Sequence, residues 1–176
     1  MLLLLIITGL IMASPEPLSV SPGSPALVFE LPAVNPSAAL RAVNKDRISL
    51  TDVTGVLPTH PKRGVVLHFF SLTDSDKALK ALDKLHQRYK NKDVLVLGIC
   101  VSRGGLAQAS SWVEARGLRF PVLHDPHGIV TTRYGVTEPP ITVVVDGDGR
   151  IFAIGKPASG EVEKEIAAEL DGLLAS

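Results

Sequence analysis

The segment Phe69-Phe70-Ser71-Leu72-Thr73-Asp74-Ser75-Asp76-Lys77 runs an apolar stretch straight into a cluster of hydroxyls and carboxylates. Thr73, Asp74, Ser75 and Asp76 can accept or donate protons, but no histidine stands beside them in sequence, so acid–base catalysis lacks its usual tuning partner. The same residue types suit a helix start, where a short oxygen-bearing side chain accepts from a free backbone N–H. The chain's one cysteine, Cys100, lies downstream between Ile99 and Val101. A thiol acts as a nucleophile only as thiolate in an exposed, electropositive setting, and among apolar neighbours it reads as a small core side chain. A single cysteine also excludes an intramolecular disulfide and any Cys-x-x-Cys pair.

The other polar candidates carry less. His124 and His127 flank Asp125 at a spacing that could bring two imidazoles together, but without cysteines they read as a solvated loop pair, and no metal site is expected. His68, between Leu67 and Phe69, reads as a hydrogen-bonded core histidine. Asp146-Gly147-Asp148-Gly149 lacks the spaced ligands and closing glutamate of a calcium loop and is expected to be a hairpin turn.

The elements that must position these residues follow from periodicity. Residues 65–70 and 94–101 are continuous apolar runs of the kind buried on both faces of a parallel sheet. Between them, Leu79, Leu82, Leu85 and Tyr89 mark one face of a helix that Asp76 can cap. A second helix is expected over 106–116 ending at Gly117, a short one over 129–134 closed by Gly135, and an amphipathic one over 161–174. Residues 121–123 and 141–145 read as strands, the latter turning through 146–149 into a partner at 150–154. Near the start, Phe29-Glu30-Leu31-Pro32 reads as a short strand, residues 47–52 as an edge strand, and 35–44 as an alanine-rich segment with room for one helical turn. Residues 57–63 form a proline-marked loop. Strands alternating with helices predict an α/β domain with a mixed central sheet.

At 176 residues the chain suits one domain. Lys+Arg and Asp+Glu balance at 18 each, so no global field points to nucleic acid, and no cofactor is indicated. Residues 2–13 are almost wholly apolar; a helix of that length spans roughly 18 Å, short of the ~30 Å hydrocarbon core. This fits a signal peptide or an N-terminal anchor over 1–13, followed by a Pro/Ser-rich linker over 14–25 and a folded domain over 26–176. The expected location is extracytoplasmic, with membrane contact only through the N-terminal segment. Translation from Met12 would instead leave a cytoplasmic protein.

From residue 29 to residue 174 the chain resembles the redoxin (AhpC/TSA) branch of the thioredoxin superfamily, especially exported thiol–disulfide oxidoreductases of the TlpA/ResA type. The resemblance rests on the two N-terminal strands, the first core strand, Tyr89-Lys90-Asn91-Lys92-Asp93-Val94, Phe120-Pro121-Val122-Leu123-His124-Asp125-Pro126-His127-Gly128, and Tyr134-Gly135-Val136 followed by Pro139-Pro140-Ile141-Thr142. It implies a thioredoxin-like fold with an N-terminal strand extension. In that family the first core strand runs into Cys-x-x-Cys at a helix N-terminus, where the helix dipole lowers the thiol pKa. Here the two cysteines would fall at Asp74 and Lys77. Pro140 matches the family's cis-proline. The residue before it, which pairs its backbone with substrate in working members, is Pro139 and has no N–H.

Nucleophile and docking donor are thus both missing from one site. Thr73, Asp74, Ser75, Asp76, Lys77, Pro139 and Pro140 then form a former active-site face, open to contact with a protein partner. Two readings stay open: a non-catalytic partner-binding domain, or a redoxin-class oxidoreductase working through Cys100 or a partner's thiol.

Overall fold

The computed structural model describes residues 20–74, 76–102, 105–156 and 161–176. The signal or anchor segment over 1–13, the start of the linker, and Ser75 lie outside them. The elements in order are β1 (Glu30–Pro32), α1 (Pro36–Val43), β2 (Arg47–Ser49), β3 (Gly64–Phe70), α2 (Asp76–Tyr89), β4 (Val94–Cys100), α3 (Leu106–Glu114), β5 (Val122–His124), α4 (Ile129–Arg133), β6 (Ile141–Asp146), β7 (Ile151–Gly155) and α5 (Val162–Ala175). The central sheet has the order β5-β4-β3-β6-β7, with β3, β4 and β5 parallel, β6 antiparallel to β3, and β7 antiparallel to β6. β1 and β2 form a separate antiparallel pair, the N-terminal extension.

Every residue of β3 and β4 is buried, as their unbroken apolar sequence requires. The two-residue period then divides the core. Val65, Leu67 and Phe69 face a cluster with β1, β2, α1 and α4, while Val66 and Phe70 face α2, α3 and α5. On the second face Tyr89 joins α2 to α5, its hydroxyl donating to Asp171 Oδ1 (2.7 Å) and to the Ala167 carbonyl (3.3 Å). Gly98 on β4 lies opposite His68, and a Cβ there would meet the Phe70 and Phe120 rings at 3.0 and 3.1 Å.

Three expectations are corrected. Residues 35–44 hold an eight-residue helix rather than one turn, entered through Pro36 and ended by Asn44 at φ 53°. The Asn35 amide pins its start to β5, accepting from Val122 N–H (2.8 Å) and donating to the Phe120 carbonyl (2.9 Å). The strand over 47–52 stops at Ser49, because the Ser49 and Asp52 side chains form a capping box that winds Leu50–Asp52 into a 3₁₀ turn. The linker ends earlier than residue 25: Gly23 N–H donates to the Ile151 carbonyl (2.7 Å), Ile151 N–H to that of Ser24 (2.9 Å), and Ala26 N–H to that of Gly149 (2.8 Å). These bonds occupy backbone groups at the start of β7, so the chain is docked before the apolar sequence begins.

Candidate functional site

β3 ends at Phe70, and Ser71 to Asp74 turn toward α2. The turn is closed by its own side chains. The Asp74 carboxylate accepts from Ser71 N–H (2.8 Å) and Ser71 Oγ (3.2 Å), Asp74 N–H donates to the Ser71 carbonyl (3.1 Å), and the Ser71 and Thr73 hydroxyls are 2.8 Å apart. Asp74 therefore bonds back toward the strand. Asp76 is the first residue of α2, and its carboxylate accepts from Arg116 Nε at 2.7 Å. The Arg116 guanidinium lies 3.6 Å from the centroid of the Trp112 ring, which stacks on Phe70 at 5.9 Å. Asp76, Arg116, Trp112 and Phe70 thus brace the turn against α3. Thr73 and Lys77 are exposed.

Across the turn, Phe69 pairs with Ile141, which places Pro140 opposite Phe70, one step beyond the β3–β6 ladder. The Pro139–Pro140 peptide is cis, and both residues are half-buried. Neither has an N–H to offer an incoming strand. Six of the seven candidate residues are thus placed: Thr73 and Asp74 in the β3–α2 connection, Asp76 and Lys77 at the start of α2, and Pro139 and Pro140 in the segment leading into β6; Ser75 lies outside the described residues.

Cys100 is the last residue of β4 and pairs with Phe70, so the parallel register sets it beside the turn that sequence separation hides. It is wholly buried. Burial, and then the negative charge of Asp74, push its thiol up to about 12. A thiol so placed remains protonated at neutral pH and has no exposed face for attack.

The histidines divide differently from the sequence expectation. His124 is not in a solvated loop: it is on β5 opposite Cys100, 4% exposed, with Nε2 3.3 Å from the Ser102 carbonyl. His127 is exposed, so the two do not converge. The buried position follows from β5 extending one residue past Leu123 against β4. His68 is fully buried, with Nδ1 hydrogen-bonded to Thr142 Oγ1 at 2.9 Å and Nε2 without a partner among the described residues. Burial lowers its pKa to about 4. Among the described residues no group of three or more His, Cys, Asp or Glu is placed to hold a metal.

Sequence reasoning overlooked Asp125. Its carboxylate is 2% exposed and accepts from Ile129 N–H (3.0 Å), Thr131 N–H (2.9 Å) and Thr131 Oγ1 (2.7 Å), while its own N–H donates to the Cys100 carbonyl (3.0 Å). It ties α4 to the end of β4. An aspartate followed by a glycine just ahead of a short helix was the available signal.

The chain is similar in sequence and fold to several known proteins. The model of the AhpC/TSA family matches residues 22–154. The thiol-disulfide oxidoreductase ResA of Bacillus thuringiensis subsp. konkukian is 26% identical over 132 residues, which are 74% of this chain and 70% of that protein. Two solved structures share the fold. A protein from Chlorobium tepidum, described as a thiol:disulfide interchange protein DsbE, superposes with a TM-score of 0.70 at 20% identity over 89% of this chain and 99% of its own. Peroxidoxin BcpB of Mycobacterium tuberculosis gives 0.66 at 18% over 87% and 97%. The mixed five-stranded sheet flanked by helices is a thioredoxin-like fold.

Proposed function

The chain belongs to the AhpC/TSA family of thioredoxin-fold redoxins, and from that premise we propose that it has lost dithiol–disulfide exchange and serves as a non-catalytic domain binding a protein partner. The contact face is the former active-site turn: Thr73, Asp74, Ser75, Asp76 and Lys77, with Pro139 and Pro140 opposite. One observation carries this reading: the sole thiol is sealed in the sheet beside a turn whose hydroxyls and carboxylate are bonded to one another. Exchange chemistry needs an exposed thiolate as attacking group, and nothing else in the turn can form and release a bond to sulfur. The internal bonds among Ser71, Thr73 and Asp74 preform part of this surface, which limits the ordering cost of binding. The apolar residues 2–13 support export of this domain.

The test is turnover by the purified protein: reduction of a disulfide substrate with a thiol donor, and consumption of peroxide. Both are expected at background, and equally so in Cys100→Ser. Thiol-dependent turnover that disappears in Cys100→Ser would establish the redoxin-class enzyme instead. A photocrosslinker at Thr73 is expected to capture a partner protein, and a crosslinker at exposed Glu169 on α5 is not.

A further inference from the structure

At the end of the sheet remote from the turn, a cavity of about 560 Å³ opens between α1, the C-terminal part of α2 and the segments entering β3, β4 and β5. Its lining includes Arg41 on α1, Lys62 ahead of β3, His86 in the last turn of α2, Lys90 just after that helix, and Arg119 ahead of β5. Among the described residues none that lines it is acidic. Because the whole chain balances 18 basic against 18 acidic residues, this concentration of positive charge is a local arrangement.

The charge is only partly neutralised. Arg119 is held by Asp83, which accepts from its backbone N–H and Nε (each 2.9 Å) and from its terminal nitrogen. Lys90 Nζ donates to the neutral Gln87 Oε1 at 2.8 Å. The side chains of Arg41 and Lys62 have no hydrogen bond or ion pair among the described residues. His86 supplies a separate observation: its Nδ1 is buried without a hydrogen-bond partner among the described residues. Burial disfavours a proton on this ring; Asp83 opposes that, and Lys90, Arg119 and Arg41 reinforce it. These cations therefore converge on one imidazole from three separate segments of the chain.

We propose that this cavity binds a small molecule carrying two or more negative charges, of the phosphate-ester or polycarboxylate class. Its volume lies within the roughly 300–1,000 Å³ typical of small-molecule sites, and its concave shape distinguishes it from a flat basic patch. Guanidinium groups match both phosphate and carboxylate oxygens in bidentate geometry, and ammonium groups add point charge. Gln87 and Asn91 add amides on the same wall, and Ala38, Ala42, Val94 and Leu95 supply apolar surface for a carbon skeleton. The site is independent of the proposed partner face, since it borders the N-terminal ends of β3 and β4 while the turn follows the C-terminal end of β3.

The experiment is titration of the full chain with pyrophosphate and, separately, citrate at low ionic strength, followed by calorimetry and by NMR of the amide and imidazole signals. Saturable one-site binding is expected for at least one probe, and the tighter of the two identifies the source class. On binding, the His86 pKa should rise. The double variant Arg41→Gln/Lys62→Gln should lose at least tenfold in affinity. Asp83→Asn, which removes the competing carboxylate, should bind several-fold more tightly. Arg41 and Lys62 bond no other described side chain, so the double variant should fold as the parent does. Absence of saturable binding to both probes, or undiminished binding in the double variant, would overturn the proposal. Sedimentation with phosphatidylglycerol vesicles without binding of either small anion would also overturn it, by showing a surface for membranes instead of a pocket.

Discussion

Labelling of Cys100 by a disulfide reagent such as Ellman's reagent offers the sharpest test of how the thiol is held. The thiol's ordinary value of 9.0 is pushed to about 12. At pH 8 the thiolate fraction within the fold thus falls from about one in ten to about one in ten thousand, a suppression of ~10³. The alternative route, through an opened state, is no faster. Cys100 lies between β3 and β5 in the sheet, so exposing it approaches global unfolding, which for a domain of this size costs about 5–15 kcal/mol and again suppresses reaction by more than ~10³. Stopped-flow absorbance at pH 8 should therefore give a native rate constant at least a thousandfold below that in denaturing guanidinium. Burial is the first cause and Asp74 only the second, so Asp74→Asn should raise the native rate by less than tenfold. A native rate within tenfold of the denatured one would refute the account of a sealed thiol. A hundredfold acceleration in Asp74→Asn would show that charge, not burial, silences it.

Three further outcomes follow from the packing. His68 is held neutral in the fold, at about 4 against 6.5, so the unfolded chain binds the extra proton; stability is complete above pH 6.5 and falls by about 3 kcal/mol as pH drops to 4. Urea unfolding across pH 4 to 7 should show this slope, and His68→Leu should flatten it by most of that amount. Tyr89→Phe removes both hydrogen bonds to α5 and should cost about 1–2 kcal/mol in chemical denaturation with an unchanged urea dependence. Asp125→Ala leaves the Ile129 and Thr131 donors unpaired; it should cost about 2–4 kcal/mol and raise amide exchange first in α4.

Element types were legible because they rest on local periodicity. The apolar runs at 65–70 and 94–101 gave β3 and β4, and Leu79, Leu82, Leu85 and Tyr89 gave the buried stripe of α2. Expectations failed where a side chain bonds to backbone outside the pattern. Asn35 anchored a longer helix than alanine content alone implied, and the Ser49/Asp52 box cut a strand short. His124 was misread because solvation of a short strand depends on its neighbour, here β4, rather than on its own polar residues.

What the sequence determined by itself is the inventory of the chemistry. A chain with one cysteine cannot perform intramolecular dithiol exchange, and consecutive prolines at 139 and 140 cannot donate to a docked strand. These follow from covalent structure and hold in any fold. Tertiary structure alone decided proximity. The parallel register of β3 and β4 brought Cys100 beside Phe70 and within reach of the Asp74 charge, the packing of α3 gave Asp76 its partner Arg116, and separate segments carried Arg41, Lys62, His86 and Arg119 to one cavity. Electrostatic and desolvation effects act through space, so residues far apart in sequence acquire their chemical character only when strand order and helix packing set the distances between them.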